Sequence, residues 1–131
     1  MKFARYTFLI SGIYGLLVVL PQFFLESRIG QEQPPAITHP EFFYGFICVT
    51  SAFQLVFLII ASDPARYRPL MLVSLVEKFP FVIAVTILYL QSRVGWQIVA
   101  AASIDAFWGV MFLISYLKTS SAGPSAPSDA N

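Results

Sequence analysis

The sequence predicts an all-α integral membrane protein, an antiparallel bundle of four transmembrane helices, and three observations support this. The chain of 131 residues is 57% hydrophobic and only 11% charged, whereas an average soluble domain is about 25% charged. A soluble chain of this size buries only about two-thirds of its unfolded surface, so lipid must take up the remaining apolar area. Four apolar stretches, separated by short polar connections, each reach the roughly 20 residues that a helix needs to cross a bilayer.

Residues 1–118 are predicted to form one four-pass domain. Residues 119–131 are predicted to be a disordered cytoplasmic tail, because they are rich in Ser, Pro, Ala and Gly. The first span begins like a signal peptide, with basic residues before an apolar stretch. It continues into Pro21-Gln22-Phe23-Phe24 without a clear small-x-small cleavage site, so we expect it to remain in the protein. The predicted spans are 6–24, 42–61, 70–90 and 96–117.

The connection from Glu26 to Pro40 is polar and contains a stiff, extended Pro34-Pro35 pair. At its end, Thr38 and Glu41 have the spacing of a capping box, and Pro40 suits the first turn of a helix. The sequence therefore predicts that Thr38 caps the second span.

The two remaining connections are shorter. Residues 63–69 form a tight polar turn in which Pro69 opens the third span, and residues 92–95 form the last turn. Inside the third span, Pro80 cannot donate a backbone hydrogen bond to the carbonyl of Val76, so we expect a kink there.

The distribution of basic residues predicts the orientation. Five of them fall on one side of a four-pass chain, and only Arg28 and Arg93 fall on the other. The positive-inside rule then places both termini in the cytoplasm of a bacterial cell, with the protein in its inner membrane. The five residues are Lys2, Arg5, Arg66, Arg68 and Lys118. Aromatic residues near the predicted interfaces agree with this placement: Tyr6, Tyr67, Tyr89, Trp96 and Tyr116.

Small residues indicate which helix faces pack together. Ser11 and Gly15 form a small-xxx-small pair in the first span. In the fourth span, Ala101, Asp105 and Gly109 lie on one stripe, with Ala102 and Ala106 beside it. The single cysteine, Cys48, is interpreted as a small buried hydrophobic residue, since one thiol forms no internal disulfide.

Three ionisable residues interrupt the apolar spans: Glu77 and Lys78 in the third, and Asp105 in the fourth. Such residues normally face a bundle interior or a wet cavity and seek partners. At about 1.5 Å per residue, Lys78 lies roughly 12 Å and Asp105 roughly 17 Å from the cytoplasmic ends of their spans, within reach of a lysine side chain. Gln54 falls at about the depth of Lys78. We therefore predict one ligand-binding polar layer of Gln54, Glu77, Lys78, Asp105 and Trp108, with Ser74 on the same faces.

A structural interpretation of these residues stays open. Lys78 and Asp105 are also consistent with a pair that only fixes helix register, and Glu77 with a partner in Arg66 or Arg68. A secondary candidate site, His39, Glu41 and Tyr44, lies at the outer end of the bundle. One histidine without a second ligand close by is a poor metal site, so we expect no metal.

Several classes of function have no support in the sequence. It contains no P-loop, GxGxxG, HExxH or GxSxG motif, so no cofactor is expected and no catalytic residue can be named. A net charge of +1 does not indicate nucleic-acid binding.

Three segments carry a resemblance to known proteins: residues 39–46, residues 66–71 and the pair Glu77-Lys78. With its four spans, the chain resembles small four-helix bacterial inner-membrane proteins of no established activity, over residues from about 3 to 118. It is more weakly similar to the DoxX-like group, some members of which are linked to quinone-coupled or sulfur redox functions. In layout alone it resembles the EXPERA group of sterol isomerases and sterol-binding proteins. These resemblances carry no site residue over to this chain.

We expect the bundle to bind a lipid-like or quinone-like molecule, because apolar cavities with a few convergent polar groups are the usual form of such sites. One alternative is an accessory subunit of a larger membrane complex, with another membrane protein as its partner. Another is a membrane-embedded acid/base enzyme or proton-coupled protein that uses Glu77 or Asp105.

Overall fold

The computed structural model describes residues 2–120, and in that part every regular element is helical. A 3₁₀ turn, Leu20–Phe24, extends the first helix. The five α-helices are α1 (Lys2–Val19), α2 (Glu26–Glu32), α3 (Pro40–Ser62), α4 (Arg68–Leu90) and α5 (Trp96–Lys118). Most of the predicted tail, residues 121–131, lies outside the described residues, whereas Thr119 directly after α5 is buried.

Four helical segments are long and apolar enough to cross a membrane: α1 with its 3₁₀ extension, α3, α4 and α5. Each is 23 residues long, and a helix of that length spans roughly 35 Å. The number of spans and their positions agree with the sequence prediction. The largest difference is at the start of the first helix, which begins at Lys2 instead of Tyr6. The helix includes the basic residues that precede the apolar stretch.

The predicted capping box at the start of α3 is wrong. His39 is the N-cap, and its carbonyl accepts the backbone N–H groups of Phe42 and Phe43, at 3.1 and 3.2 Å. The helix thus begins one residue later than a Thr38 cap requires, and Glu41 no longer occupies the third helical position. The Glu41 carboxylate instead lies 3.2 Å from Nδ1 of His39. Pro40 and Pro69 do stand in the first turns of α3 and α4, as predicted.

Small residues allow the helices to pack in two close pairs, α1 with α3 and α4 with α5. A Cβ atom on Gly12 would lie 2.8 Å from Cδ2 of Leu58, so α1 and α3 approach closely there. In the second pair, the ring of Phe79 covers Gly109 at 2.9 Å from the site of a Cβ. Close approach of this kind is how helices associate where water supplies no driving force.

The buried core joins the two pairs at one end of the molecule. Phe8 of α1 stacks on Phe112 of α5 with ring centroids 4.3 Å apart, and Phe57 of α3 meets Phe112 edge-on at 4.8 Å. All three phenylalanines are fully buried. The core comprises Ala4, Phe8, Phe57, Ile60, Ala61, Met71 and Phe112.

The same end carries most of the positive charge, and we call it the basic end: Lys2, Arg5, Arg66, Arg68 and Lys118. Two of these residues bind the carbonyl groups where neighbouring helices finish. Arg5 donates to the carbonyl of Ser62 at 3.4 Å, and Nε of Arg68 donates to the carbonyl of Thr119 at 2.5 Å. These carbonyls lack helical partners and carry partial negative charge, so the arginines satisfy and neutralise both helix C-termini.

The outward faces of the long helices are apolar. Large side chains such as Val76, Leu90 and Phe107 are more than half exposed. Cys48 also lies on an outward face, so its interpretation as a buried residue is wrong. The error arises because an apolar neighbourhood in sequence does not distinguish a helix face turned inward from one turned outward.

Candidate functional site

A cavity of about 680 Å³ lies between the two helix pairs, in the half of the molecule away from the basic end. Its walls come from all four long helices, and its outer end is lined by Ile29 of α2 and by Gln33, which directly follows α2. The core residues of the basic end close the opposite side. The molecule is thus packed solidly at one end and hollow at the other.

Three ionisable side chains meet where the cavity reaches the core. Nζ of Lys78 donates a hydrogen bond to Oδ1 of Asp105 at 2.9 Å and lies 3.2 Å from Oε2 of Glu77. The side chain of Lys78 is 6% exposed, that of Glu77 15% and that of Asp105 27%. Asp105 is therefore the member of the group that most faces the cavity.

The position of Lys78 ties this group to the core. Its ammonium lies 5.6 Å from the centre of the buried Phe57 ring, so the amine is held between an aromatic face and two carboxyl groups. Ser74, predicted on the same faces, donates instead to the carbonyl of Leu70 one turn earlier in its own helix. Glu77 pairs with its neighbour Lys78, while Arg68 binds the end of α5, so the alternative Glu77–Arg68 pairing is absent.

Gln54 completes the group from the other helix pair, and it is 2% exposed. Its side-chain nitrogen donates to the carbonyl of Thr50 at 3.2 Å, and its side-chain oxygen accepts no hydrogen bond within residues 2–120. The side chain occupies the space where a Cβ atom on Gly15 would stand. Only glycine at position 15 leaves room for this amide. We call Gln54, Glu77, Lys78 and Asp105 the polar floor of the cavity.

Above the polar floor the walls are largely aromatic and aliphatic. Trp108 lies against Tyr14 of α1 with ring centroids 6.2 Å apart, which closes the seam between α1 and α5. The aromatic lining residues of the other two long helices are Phe43, Phe46, Phe53 and Phe81. All five residues predicted for the polar layer line this one cavity: Gln54, Glu77, Lys78, Asp105 and Trp108. Their ligand-binding role stays a prediction.

The secondary candidate residues do not line the cavity. Nδ1 of His39 lies 3.2 Å from the Glu41 carboxylate at the start of α3, and the ring of Phe42 lies beside His39. The hydroxyl of Tyr44 donates to the Glu26 carboxylate at 2.7 Å, which ties α2 to α3. In the part of the chain that the structure describes, no group of three His, Cys, Asp or Glu side chains could hold a metal ion.

The contribution of α2 does not follow from the sequence prediction, which treats residues 26–40 as a polar connection. The segment Glu26–Glu32 has one large apolar residue, Ile29, and that residue faces the cavity. The lone isoleucine in this polar segment is the sequence feature that could have indicated contact with the bundle. The sequence predicts that Gly15 is a packing residue. Spacing within one helix does not predict that the side chain of Gln54, on another helix, packs against it.

Comparison with known proteins identifies no relative: no protein-family model, no curated protein and no solved structure matches this chain. The resemblances drawn from the sequence therefore stay predictions.

Proposed function

We propose that this protein is an antiparallel four-helix membrane bundle that binds a lipid-like molecule, such as an isoprenoid or a quinone, in the cavity above the polar floor. Four helices long and apolar enough to cross a bilayer support the membrane placement. The contacts of Arg5 with the end of α3, and of Arg68 with the end of α5, support the antiparallel order.

The proposed orientation places the basic end in the cytoplasm of a bacterial cell. Among residues 2–120, that end carries five basic residues and one acidic residue, Asp63, whereas the opposite end carries two basic residues and three acidic ones, Glu26, Glu32 and Glu41. Retention of Lys and Arg on the cytoplasmic side favours this direction. The cavity then lies in the outer half of the membrane, with the polar floor close to its middle.

The cavity is the observation that most directly supports the ligand proposal. A space of about 680 Å³ with apolar walls and a few convergent polar groups has the size and composition of small-molecule sites. An empty space of this size between the two helix pairs would forfeit packing contacts, which are the main source of helix association in lipid. A lipid-like occupant restores those contacts.

The experiment is the identification of co-purified lipid. The wild-type protein and Ala101→Phe are purified in mild detergent, and bound molecules are extracted for mass spectrometry. Ala101 lines the cavity, so a phenylalanine there fills part of it. We expect one lipid-like species above the level of annular lipid in the wild type and its loss in Ala101→Phe.

The neighbouring residue supplies a matched control. Ala100 is equally an exposed alanine on α5 but does not line the cavity. Ala100→Phe therefore keeps the enriched species. If wild-type protein carries no species above annular lipid, the binding proposal is wrong, and a co-purifying membrane protein would then favour the accessory-subunit alternative.

A further inference from the structure

The chemistry of the polar floor indicates which lipid head group it accepts, an argument that rests on the proposed function. Its four side chains supply hydrogen-bond donors and acceptors in unequal numbers. Lys78 is the only cationic donor among them, and its ammonium lies between the carboxyl groups of Asp105 and Glu77. At 6% exposure, this ammonium presents almost nothing to the cavity.

One acceptor remains open on the same surface. Asp105 is the most exposed member, and among the described residues only its Oδ1 atom accepts a hydrogen bond. A carboxylate can accept several hydrogen bonds through its two oxygens. The Oε2 atom of Glu77, by contrast, is buried and lies 3.2 Å from the ammonium of Lys78, so it is not open to the cavity.

Gln54, on the opposite helix pair, adds little to this surface. One N–H of its amide is used by Thr50, and its side-chain oxygen packs against Gly15 of α1. At 2% exposure, this amide presents almost nothing to the cavity. Asp105 is therefore the acceptor of the polar floor that is open to a ligand.

We infer that the ligand is a neutral lipid whose head group is a hydroxyl, which donates a hydrogen bond to the carboxyl group of Asp105. A quinone carbonyl or an ether offers acceptors alone and finds few donors here. A fatty acid brings a further carboxyl group next to Asp105 and Glu77, where like charges repel.

The space fits such a molecule. An isoprenoid alcohol places its hydroxyl on the polar floor and its hydrocarbon chain against the aromatic walls and α2. Several lining side chains are substantially exposed, among them Val18, Phe46 and Phe81, so the cavity is open to its surroundings rather than sealed. In a membrane those surroundings are lipid, which is the phase in which an isoprenoid alcohol dissolves.

The test is a competition between two nearly identical lipids. Purified protein is incubated in detergent micelles that contain equal amounts of geranylgeraniol and its methyl ether, and native mass spectrometry resolves the two complexes. The ether keeps the chain and the acceptor oxygen but has no donor. We expect the alcohol complex to exceed the ether complex by about tenfold, since a hydrogen bond to a charged group is lost in the ether.

The Asp105→Asn variant tests whether Asp105 accepts the hydrogen bond from the lipid hydroxyl. This change removes one carboxylate and leaves Lys78 with Glu77 as a balanced pair, so the fold is retained. The alcohol-to-ether ratio falls in Asp105→Asn, because the neutral amide oxygen of asparagine accepts a weaker hydrogen bond than a carboxylate does. An unchanged ratio would show that Asp105 is not the acceptor. The Ala101→Phe variant loses both complexes, which separates binding in the cavity from partition into the micelle.

The result for the wild-type protein distinguishes failure of the hydroxyl inference from failure of the proposed lipid-binding function. Equal binding of alcohol and ether would overturn the hydroxyl inference while the cavity still binds lipid. Binding of neither molecule would overturn both the inference and the proposed function.

Discussion

Lys78 of α4 and Asp105 of α5 form a 2.9 Å hydrogen-bonded ion pair at the boundary between the packed core and the cavity. Neither residue lies near a helix end, so the pair stands deep within the segments that are apolar enough to cross a membrane. Its two members are not equivalent. Lys78 also lies beside Glu77, whereas Asp105 faces the cavity.

This asymmetry predicts different effects of removing each partner. Lys78→Met leaves two carboxyl groups side by side without a cation, and loss of one partner of a buried pair typically costs about 3–5 kcal/mol. Asp105→Asn leaves the Lys78–Glu77 pair intact and should cost clearly less. Thermal unfolding in detergent should therefore rank the wild type first, Asp105→Asn second and Lys78→Met last. A Lys78→Met protein as stable as Asp105→Asn would contradict the assigned pairing.

Gly15 and Gln54 provide a second test, of the packing between α1 and α3. A methyl group on Gly15 collides with the Gln54 side chain, so Gly15→Ala should lower stability by about 1–3 kcal/mol, the usual cost of overpacking. The double variant Gly15→Ala/Gln54→Ala, in which the Gln54 side chain is truncated, should recover most of that loss of stability. Thermal unfolding of the single and double variants gives the coupling energy between positions 15 and 54.

Gly45 is the matched control for this comparison. It also lies in a long helix, and a Cβ atom there would meet nothing within 4 Å. Gly45→Ala should be neutral or slightly stabilising, since alanine is a better helix former than glycine. If Gly15→Ala behaves like Gly45→Ala, the close approach of Gln54 to α1 is wrong.

The aromatic core predicts a contrast within α5. Phe112 is fully buried between Phe8 and Phe57, whereas Phe107 is more than half exposed on the outside. Phe112→Ala should destabilise the protein by about 3–5 kcal/mol, the range for large-to-small core changes. Phe107→Ala should have a much smaller effect. Unfolding by a denaturing detergent would measure both, and equal effects would contradict the position of the core.

The proposed orientation is checked by cysteine labelling in a Cys48→Ala background. Gln91 and Ser62 are exposed residues at opposite ends of the long helices. With a membrane-impermeant maleimide, Gln91→Cys should be labelled in spheroplasts, and Ser62→Cys only after the membrane is permeabilised. The reverse pattern would place the basic end outside.

Much of the fold could be predicted because a helix that crosses a bilayer must be long and apolar. Both properties can be recognised in the sequence of each segment. The four long apolar helices follow from that requirement, and counting residues along two helices expected to be antiparallel predicts Lys78 near Asp105. The exposure of Cys48 and the fit of Gln54 to Gly15 could not be predicted in this way. Both depend on the rotation of α3 about its axis, which is set by contacts between helices rather than by the sequence of one helix.

The most direct test of the central claim locates the bound lipid on the protein. An isoprenoid alcohol carrying a diazirine is added to purified protein, activated by light, and its attachment sites are mapped by mass spectrometry. The account predicts labels on cavity residues such as Val49, Phe53 and Ala101, removed by excess unlabelled alcohol. Labels confined to outward residues such as Leu55 and Ile83, unaffected by the competitor, would contradict it.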